Sequence, residues 1–298
     1  MARIGYVTGR SLEFERLWLT AFQQGLRDLG YVEGHNIVIE QRHAAGRSEK
    51  IPGLVAELVR LPVDVLVASE SVTAVEAKKA TATIPIVTLT QDPVALGLVA
   101  SIARPGGNVT GLSDYHAGMA SKRLELLKEI VPSALRFAVL FDPTVTPNQI
   151  QLENLQAAAP AMRLALVPYE IRGADDVDRV FDAMAKHPVG GLVLLPGLAI
   201  SSNQRQIASM ALKVRLPAIY TTSVWADLGG LIAYGTDFAA YFRRAATFVD
   251  RILKGSKPAD LPIEQPTNFE LVVNLKTAKA IGVSIPPAIL VRADRVIR

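Results

Sequence analysis

The sequence predicts an α/β protein of two similar lobes, each built around a parallel central sheet. Three observations point there. Short apolar, β-branched runs alternate along the chain with longer segments of helical period. The runs are apolar throughout rather than at every second residue, which suits strands covered on both faces. They also fall into two sets of five, separated by a short connection and one helix.

The first set is Ile4–Thr8, Ile37–Gln41, Val63–Ala68, Ile84–Leu89 and Val109–Ser113. After the first run, Phe14, Trp18, Ala21, Phe22, Gly25, Leu26 and Leu29 recur at three- and four-residue spacing, the stripe of a helix lying on a sheet. Trp18 and Phe22 are read as core. The second set is Phe137–Phe141, Leu164–Ile171, Gly191–Leu195, Ala218–Thr221 and Leu231–Tyr234. A helix over Met119–Val131 precedes it, so Asp114–Gly118 is the expected crossover between lobes. A long helix over Phe238–Lys254 follows Tyr234–Asp237, and a proline-rich stretch (Pro258, Pro262, Pro266) leads into Phe269–Asn274. The tail is expected to return to the first lobe. The lobes are therefore assigned as residues 1–115 with about 238–298, and residues 116–237. Thr73-x-x-Glu76, Thr146-Pro147-x-Gln149 and Ser201-x-x-Gln204 each match a helix capping box shortly after a run.

Composition narrows the function. The 298 residues are 50% hydrophobic and 20% charged, which excludes disorder. A net charge of +4 falls short of a nucleic-acid-binding surface. There is no cysteine, so disulfides, thiolate catalysis and thiolate metal sites are excluded. The longest charge-free stretch, Pro188–Gln204, is broken by Pro196 and three glycines and does not suit insertion into a membrane. Met1-Ala2-Arg3 runs straight into the first strand. The chain is therefore expected to be cytosolic, or to be a mature form whose leader was removed.

Signatures of chemistry are missing. No G-x-G-x-x-G follows Ile4–Thr8 or Phe137–Phe141, and no Gly-Lys-Ser/Thr loop, G-x-S-x-G or H-E-x-x-H occurs. Arg104-Pro105-Gly106-Gly107-Asn108 precedes a strand and reads as a turn. His35 and His187 suit solvated turns and helix ends. His43 and His116 stand without a carboxylate-plus-nucleophile partner in the sequence. No cofactor and no metal is expected.

Ligands of open α/β sheets sit at the carboxyl ends of strands, so the candidate binding residues are those just after each run. In the first lobe these are Thr8 and Gly9, then Ser69, Glu70, Ser71 and Thr73, then Gln91 and Asp92. Tyr115 lies in the crossover. In the second lobe they are Phe141 and Asp142, then Pro196, Tyr220, Tyr234 and Asp237. Hydroxyls of Ser71 and Thr73, beside the N–H groups of a helix start, suit a carboxylate. Asp92 suits an ammonium, and the tyrosines suit an aromatic or apolar side chain. Simpler roles stand beside these. Thr73 serves its capping box, Asp92 opens a turn before Pro93, and Asp237 caps the following helix. Tyr220 and Trp225 suit either a cleft or the core.

Several stretches carry a family likeness. They are Gly25–Gly34, Leu54–Val59, Asp92-Pro93-Val94 with Gly97-Leu98-Val99, Ala103–Leu112, Lys122–Lys128, Arg243–Ala246 and Asn274–Lys279. With these the chain resembles the bacterial ABC-transporter substrate-binding proteins often labelled as tryptophan/tyrosine-type uptake components. The resemblance runs from the first helix to the tail. It implies two Rossmann-like lobes joined by a multi-crossover hinge, a fold like that of type I periplasmic binding proteins. It implies capture of a small-molecule ligand outside the cytoplasmic membrane, an aromatic or apolar amino acid or a related small carboxylate, and delivery to a membrane permease and its ATPase. Asp92 and the Ser69–Thr73 loop would then line the ligand cleft, with Tyr234–Asp237 near the hinge. Two departures matter. The Ser69-Glu70-Ser71-Val72-Thr73 loop stands where this family commonly has a Gly-Thr-Pro-like sequence, and Asp142-Pro143 stands where Asn-Pro is common. Two alternatives remain: a two-lobed Rossmann-like enzyme acting on a sugar nucleotide, and the effector module of a transcription regulator. The first needs a base or nucleophile from each lobe. The second needs a DNA-binding helix pair ahead of Ile4, which is already in a strand.

Overall fold

The protein was described from a computed structural model covering residues 1–114 and 118–298. The chain divides into two compact units, Met1–Tyr115 with Phe238–Thr267, and His116–Asp237 with Asn268–Arg298.

The first unit begins with β1 (Ala2–Thr8), α1 (Leu12–Asp28), β2 (Ile37–His43), α2 (Ile51–Arg60), β3 (Val65–Ala68), α3 (Ser71–Ala80), β4 (Ile86–Thr90) and β5 (Val109–Ser113). Its sheet has the order β2-β1-β3-β4-β5, with parallel pairing throughout. β3, β4 and β5 are buried at every position, their runs apolar but for Thr88, Thr110 and the terminal Thr90 and Ser113. Such strands release polar side chains only at their ends.

The second unit contains α4 (Met119–Ile130), β6 (Arg136–Phe141), α5 (Thr146–Ala158), β7 (Ala165–Glu170), α6 (Ala174–Lys186), β8 (Gly191–Leu194), α7 (Leu198–Ser202), α8 (Gln204–Lys213), β9 (Ala218–Tyr220), α9 (Ser223–Asp227) and β10 (Ile232–Thr236). The parallel order β7-β6-β8-β9-β10 repeats that of the first sheet. β7 lies at the edge, which is where a strand can carry Pro168.

The rest of the chain is shared. α10 (Phe238–Leu253) belongs to the first unit, whereas β11 (Phe269–Asn274), α11 (Leu275–Ile281), α12 (Pro287–Arg292) and β12 (Arg295–Ile297) belong to the second. The expectation that the whole tail returns to the first lobe is corrected: only residues 238–267 do. The cause is β11, which pairs antiparallel with β10 from Thr236↔Phe269 to Ile232↔Val273 and buries Leu271, Val272 and Val273 in the second core. β12 then extends this sheet beside β11.

The capping signatures need correction too. α3 has Glu70 as its N-cap and Thr73 at its third helical position, so the box lies three residues earlier than expected. α5 starts at Thr146 with Val145 as N-cap; the Thr146 side chain lies outside the described set. Ser201 sits inside α7, and α8 is capped by Asn203.

The first unit is closed by α10 crossing α1. Trp18 stacks on Phe242 with ring centroids 5.5 Å apart and lies 5.2 Å from Phe238. Asp28 pairs with Arg243 at 2.5 Å, and the Tyr31 hydroxyl donates to Asp250 at 3.0 Å. Gly25 lets the two backbones meet, since a Cβ there would stand 2.4 Å from the Arg243 carbonyl oxygen. Alanine has the higher helix propensity by about 1 kcal/mol, but a rigid backbone clash outweighs it. We therefore expect Gly25→Ala to lower stability by ~1–3 kcal/mol in denaturant unfolding; a variant as stable as the parent would contradict the close crossing.

Three tyrosines are fully enclosed. Burial pushes Tyr6, Tyr220 and Tyr241 up in pKa, with Glu15 adding to the shift at Tyr6 and Asp114 at Tyr241. Tyr31 is pushed up to about 12, first by desolvation and then by Asp250. An unfolded tyrosine loses its proton near pH ~10, whereas these native ones hold it. Their contribution to stability is thus complete below pH ~10 and is lost as pH rises above it. In an alkaline absorbance titration we expect Tyr6, Tyr220 and Tyr241 to ionise only together with loss of the near-ultraviolet circular dichroism signal. Full ionisation near pH ~10 with that signal intact would contradict their enclosure.

Candidate functional site

The first sheet reverses its strand order between β1 and β3, and the loops leaving these two strands meet there. The β1 loop supplies Thr8, Gly9 and Arg10, and the β3 loop supplies Ser69 and Glu70. The Glu70 carboxylate accepts from the Gly9 backbone N–H, from Arg10 Nη1 at 2.6 Å, from Ser69 Oγ at 3.0 Å and from Thr8 Oγ1 at 3.2 Å. Glu70 is 8% exposed. Burial raises its pKa, against the lowering pull of Arg10. Every partner here is a donor, the pattern that suits an ionised acid.

Arg10 is shared. Its Nη1 also stands 3.4 Å from Glu15, and its guanidinium carbon lies 4.8 Å from the centre of the Trp18 ring. Burial disfavours the Arg10 charge, but Glu70 and Glu15 more than offset this and its pKa is raised. Glu15 is fully buried and accepts from the Tyr6 hydroxyl at 2.5 Å. His43, at the end of β2, is half-buried with Nε2 3.3 Å from Gln41 Oε1. Burial lowers its pKa, and the charge of Glu70 acts against that.

Sequence reasoning missed Arg10, Glu15 and Tyr6 as parts of one cluster. The signal for Glu15 was present: it falls on the Glu15–Trp18–Leu19–Phe22 stripe of α1, an acid at an apolar position. Sequence reasoning also did not show that the fold would bring the charge of Glu70 to bear on His43.

The remaining predicted residues of this unit lie along the same edge. Thr73 Oγ1 accepts from the Glu70 backbone N–H at 3.3 Å and donates to the Glu70 carbonyl at 2.9 Å, so its hydroxyl serves the helix start. Ser71 Oγ lies 2.7 Å from Thr90 Oγ1 and accepts from the Gln91 N–H at 3.3 Å. Ser113 Oγ donates to the Gln91 carbonyl. Asp92 is half-buried, and its Oδ1 accepts from the N–H groups of Val94 (3.1 Å) and Ala95 (3.0 Å). It therefore does open the turn that follows β4.

In the second unit the equivalent reversal lies between β6 and β8. Asp142, 2% exposed, accepts at Oδ1 from the Thr144 N–H (3.0 Å) and hydroxyl (2.6 Å), and at Oδ2 from the Ala199 N–H (3.1 Å). Asn148 Nδ2 donates to its carbonyl at 3.2 Å. Pro196 lies two residues past the end of β8 and is half-buried. Phe141 packs in the apolar core with Leu195. Tyr220 also belongs to the core: it is 1% exposed and stacks on Trp225 with centroids 4.8 Å apart, so the structure corrects its placement at an open strand end. Tyr234 is half-buried, 6.2 Å from the Phe269 ring, and its carbonyl accepts from Arg123 Nε at 2.7 Å. The Asp237 N–H donates to the Asn268 carbonyl at 3.4 Å, directly ahead of α10. Tyr115 and His116 lie outside the described residues. Among the described residues, no group of three or more histidines, aspartates or glutamates is placed to hold a metal ion, and no helix is long and apolar enough to cross a membrane.

Comparison with known proteins bears on what such edges serve. A curated relative named tyrosine-binding protein, from Clostridioides difficile (strain R20291), is 28% identical over 261 residues, covering 87% of this chain and 75% of the relative. A crystal structure of an ABC domain in complex with L-Trp from Streptococcus pneumoniae superimposes with a TM-score of 0.93 at 25% identity, covering 99% of both chains. A conserved domain protein from Vibrio cholerae gives 0.93 at 27% identity, again over 99% of both. More distant solute-binding proteins, including one holding 5-methylthioribose at 15% identity and a TM-score of 0.66, share the fold. A sequence model described as ABC transporter substrate binding protein matches residues 14–297, and the chain belongs to that family.

Proposed function

We propose that this protein is the extracytoplasmic solute-binding component of an ABC importer, and that its solute is a small amino acid with an aromatic or apolar side chain. The family match across residues 14–297 carries this reading. The relatives named for tyrosine and holding L-Trp support the class of solute. The polar rim at the carboxyl edge of the first sheet supplies suitable chemistry, since Asp92 offers a half-buried carboxylate anchored through Oδ1.

In this reading solute binding is a population shift, no larger than the solute's preference for the form that holds it. The loaded form then docks on a membrane permease, whose partner ATPase drives transport. The solute leaves chemically unaltered.

Calorimetry and thermal shift with L-tyrosine and L-tryptophan test this directly, because a bound solute raises the unfolding midpoint by mass action. We expect saturable binding of at least one aromatic amino acid, and recovery of that compound intact. We expect Asp92→Ala to weaken it at least tenfold, about 1.4 kcal/mol, with the unliganded melting temperature retained. Absence of any shift across the amino acids would overturn the assigned solute class. An unchanged dissociation constant would remove Asp92 from the site.

A further inference from the structure

The crevice where a parallel sheet reverses its strand order is where such folds present donors to a ligand. In the first unit those donors converge on a group belonging to the chain itself. The Gly9 N–H, the Thr8 and Ser69 hydroxyls and the Arg10 guanidinium all point at the Glu70 carboxylate. We propose that Glu70 is a built-in anion that fills the anion site of this unit, so that the unit engages its solute through a cationic or hydrogen-bond-donating group, an ammonium above all, and not through a carboxylate.

Three observations support the assignment. Thr8 is fully buried and Glu70 nearly so, so the nest is a made site and not a surface contact. The charge count is uneven: Glu70 and Glu15 share the guanidinium of Arg10, with half-buried His43 and the buried Tyr6 hydroxyl as further titratable neighbours. A carboxylate-bearing solute seated here would have to displace Glu70 and leave a buried charge without its partners, which is strongly unfavourable. Asp92, on the same sheet edge, adds charge of the same sign.

The assignment rests on the solute-binding reading for its biological meaning, but its central test does not. Glu70→Ala should expose a vacant anion nest. We expect sodium acetate to raise the melting temperature of Glu70→Ala saturably, and acetamide, its neutral isostere, to leave it unchanged. Neither compound should act saturably on the parent protein. Equal effects of acetate on parent and variant, or equal rescue by acetamide, would overturn the proposal. If Glu70→Ala does not fold alone, refolding yield with acetate against acetamide reads the same site, and failure of acetate to recover the protein counts against it. The solute arm uses L-tyrosine, tyramine and 3-(4-hydroxyphenyl)propionate. We expect Glu70→Ala to shift preference from the amine toward the acid at least tenfold; acetate rescue with that preference unmoved would overturn the solute assignment while leaving the filled nest. Should none of the three bind either protein, the aromatic solute class fails, and the acetate result still decides whether Glu70 fills the nest.

Discussion

A strand covered on both faces can offer a polar group to a ligand only where it ends. That constraint organises both units of this protein. β3, β4 and β5 are buried along their whole length, so hydroxyls and acids gather in the loops that follow. These loops start helices, whose first N–H groups require acceptors. Function and local stability therefore compete for the same few side chains. Thr73 shows the outcome plainly, since its hydroxyl is taken up by the start of α3.

The two units resolve this competition with acids of their own. In the first, the Glu70 side chain reaches from the β3 loop to the β1 loop. In the second, Asp142 reaches from the β6 loop to the start of α7. Each ties together the loops flanking its reversal of strand order. These are also the two positions where the sequence departs from the motifs its family likeness leads one to expect.

Much of the architecture was legible in advance. Gly191–Leu194 is a strand because nothing polar interrupts it, Val109–Ser113 because its interior hydroxyl, Thr110, finds the Leu261 carbonyl, and the Trp18–Phe22 stripe is core because its spacing puts it on one face of a helix. Pattern alone placed Thr8, Gly9, Ser69, Ser71, Gln91 and Asp92 on one edge. It could not show which acceptor each hydroxyl would meet, because Thr8 and Glu70 touch across 62 residues. Tyr220 misled for a related reason: a strand-end aromatic reads alike whether it faces outward or folds back on Trp225. The tail misled because strand pairing is non-local. Phe269–Asn274 is a strand by composition, but only the register with β10 assigns it to the second unit.

The discontinuity of both units has a consequence for how the chain comes into being. The aromatic face of α1 is covered by α10, more than 200 residues later in synthesis order, and the second sheet gains its last strands from the final thirty residues. Neither half can complete its apolar interior while the ribosome still holds the C-terminal segment. A nascent polypeptide of this design therefore stays incompletely packed until translation is nearly over.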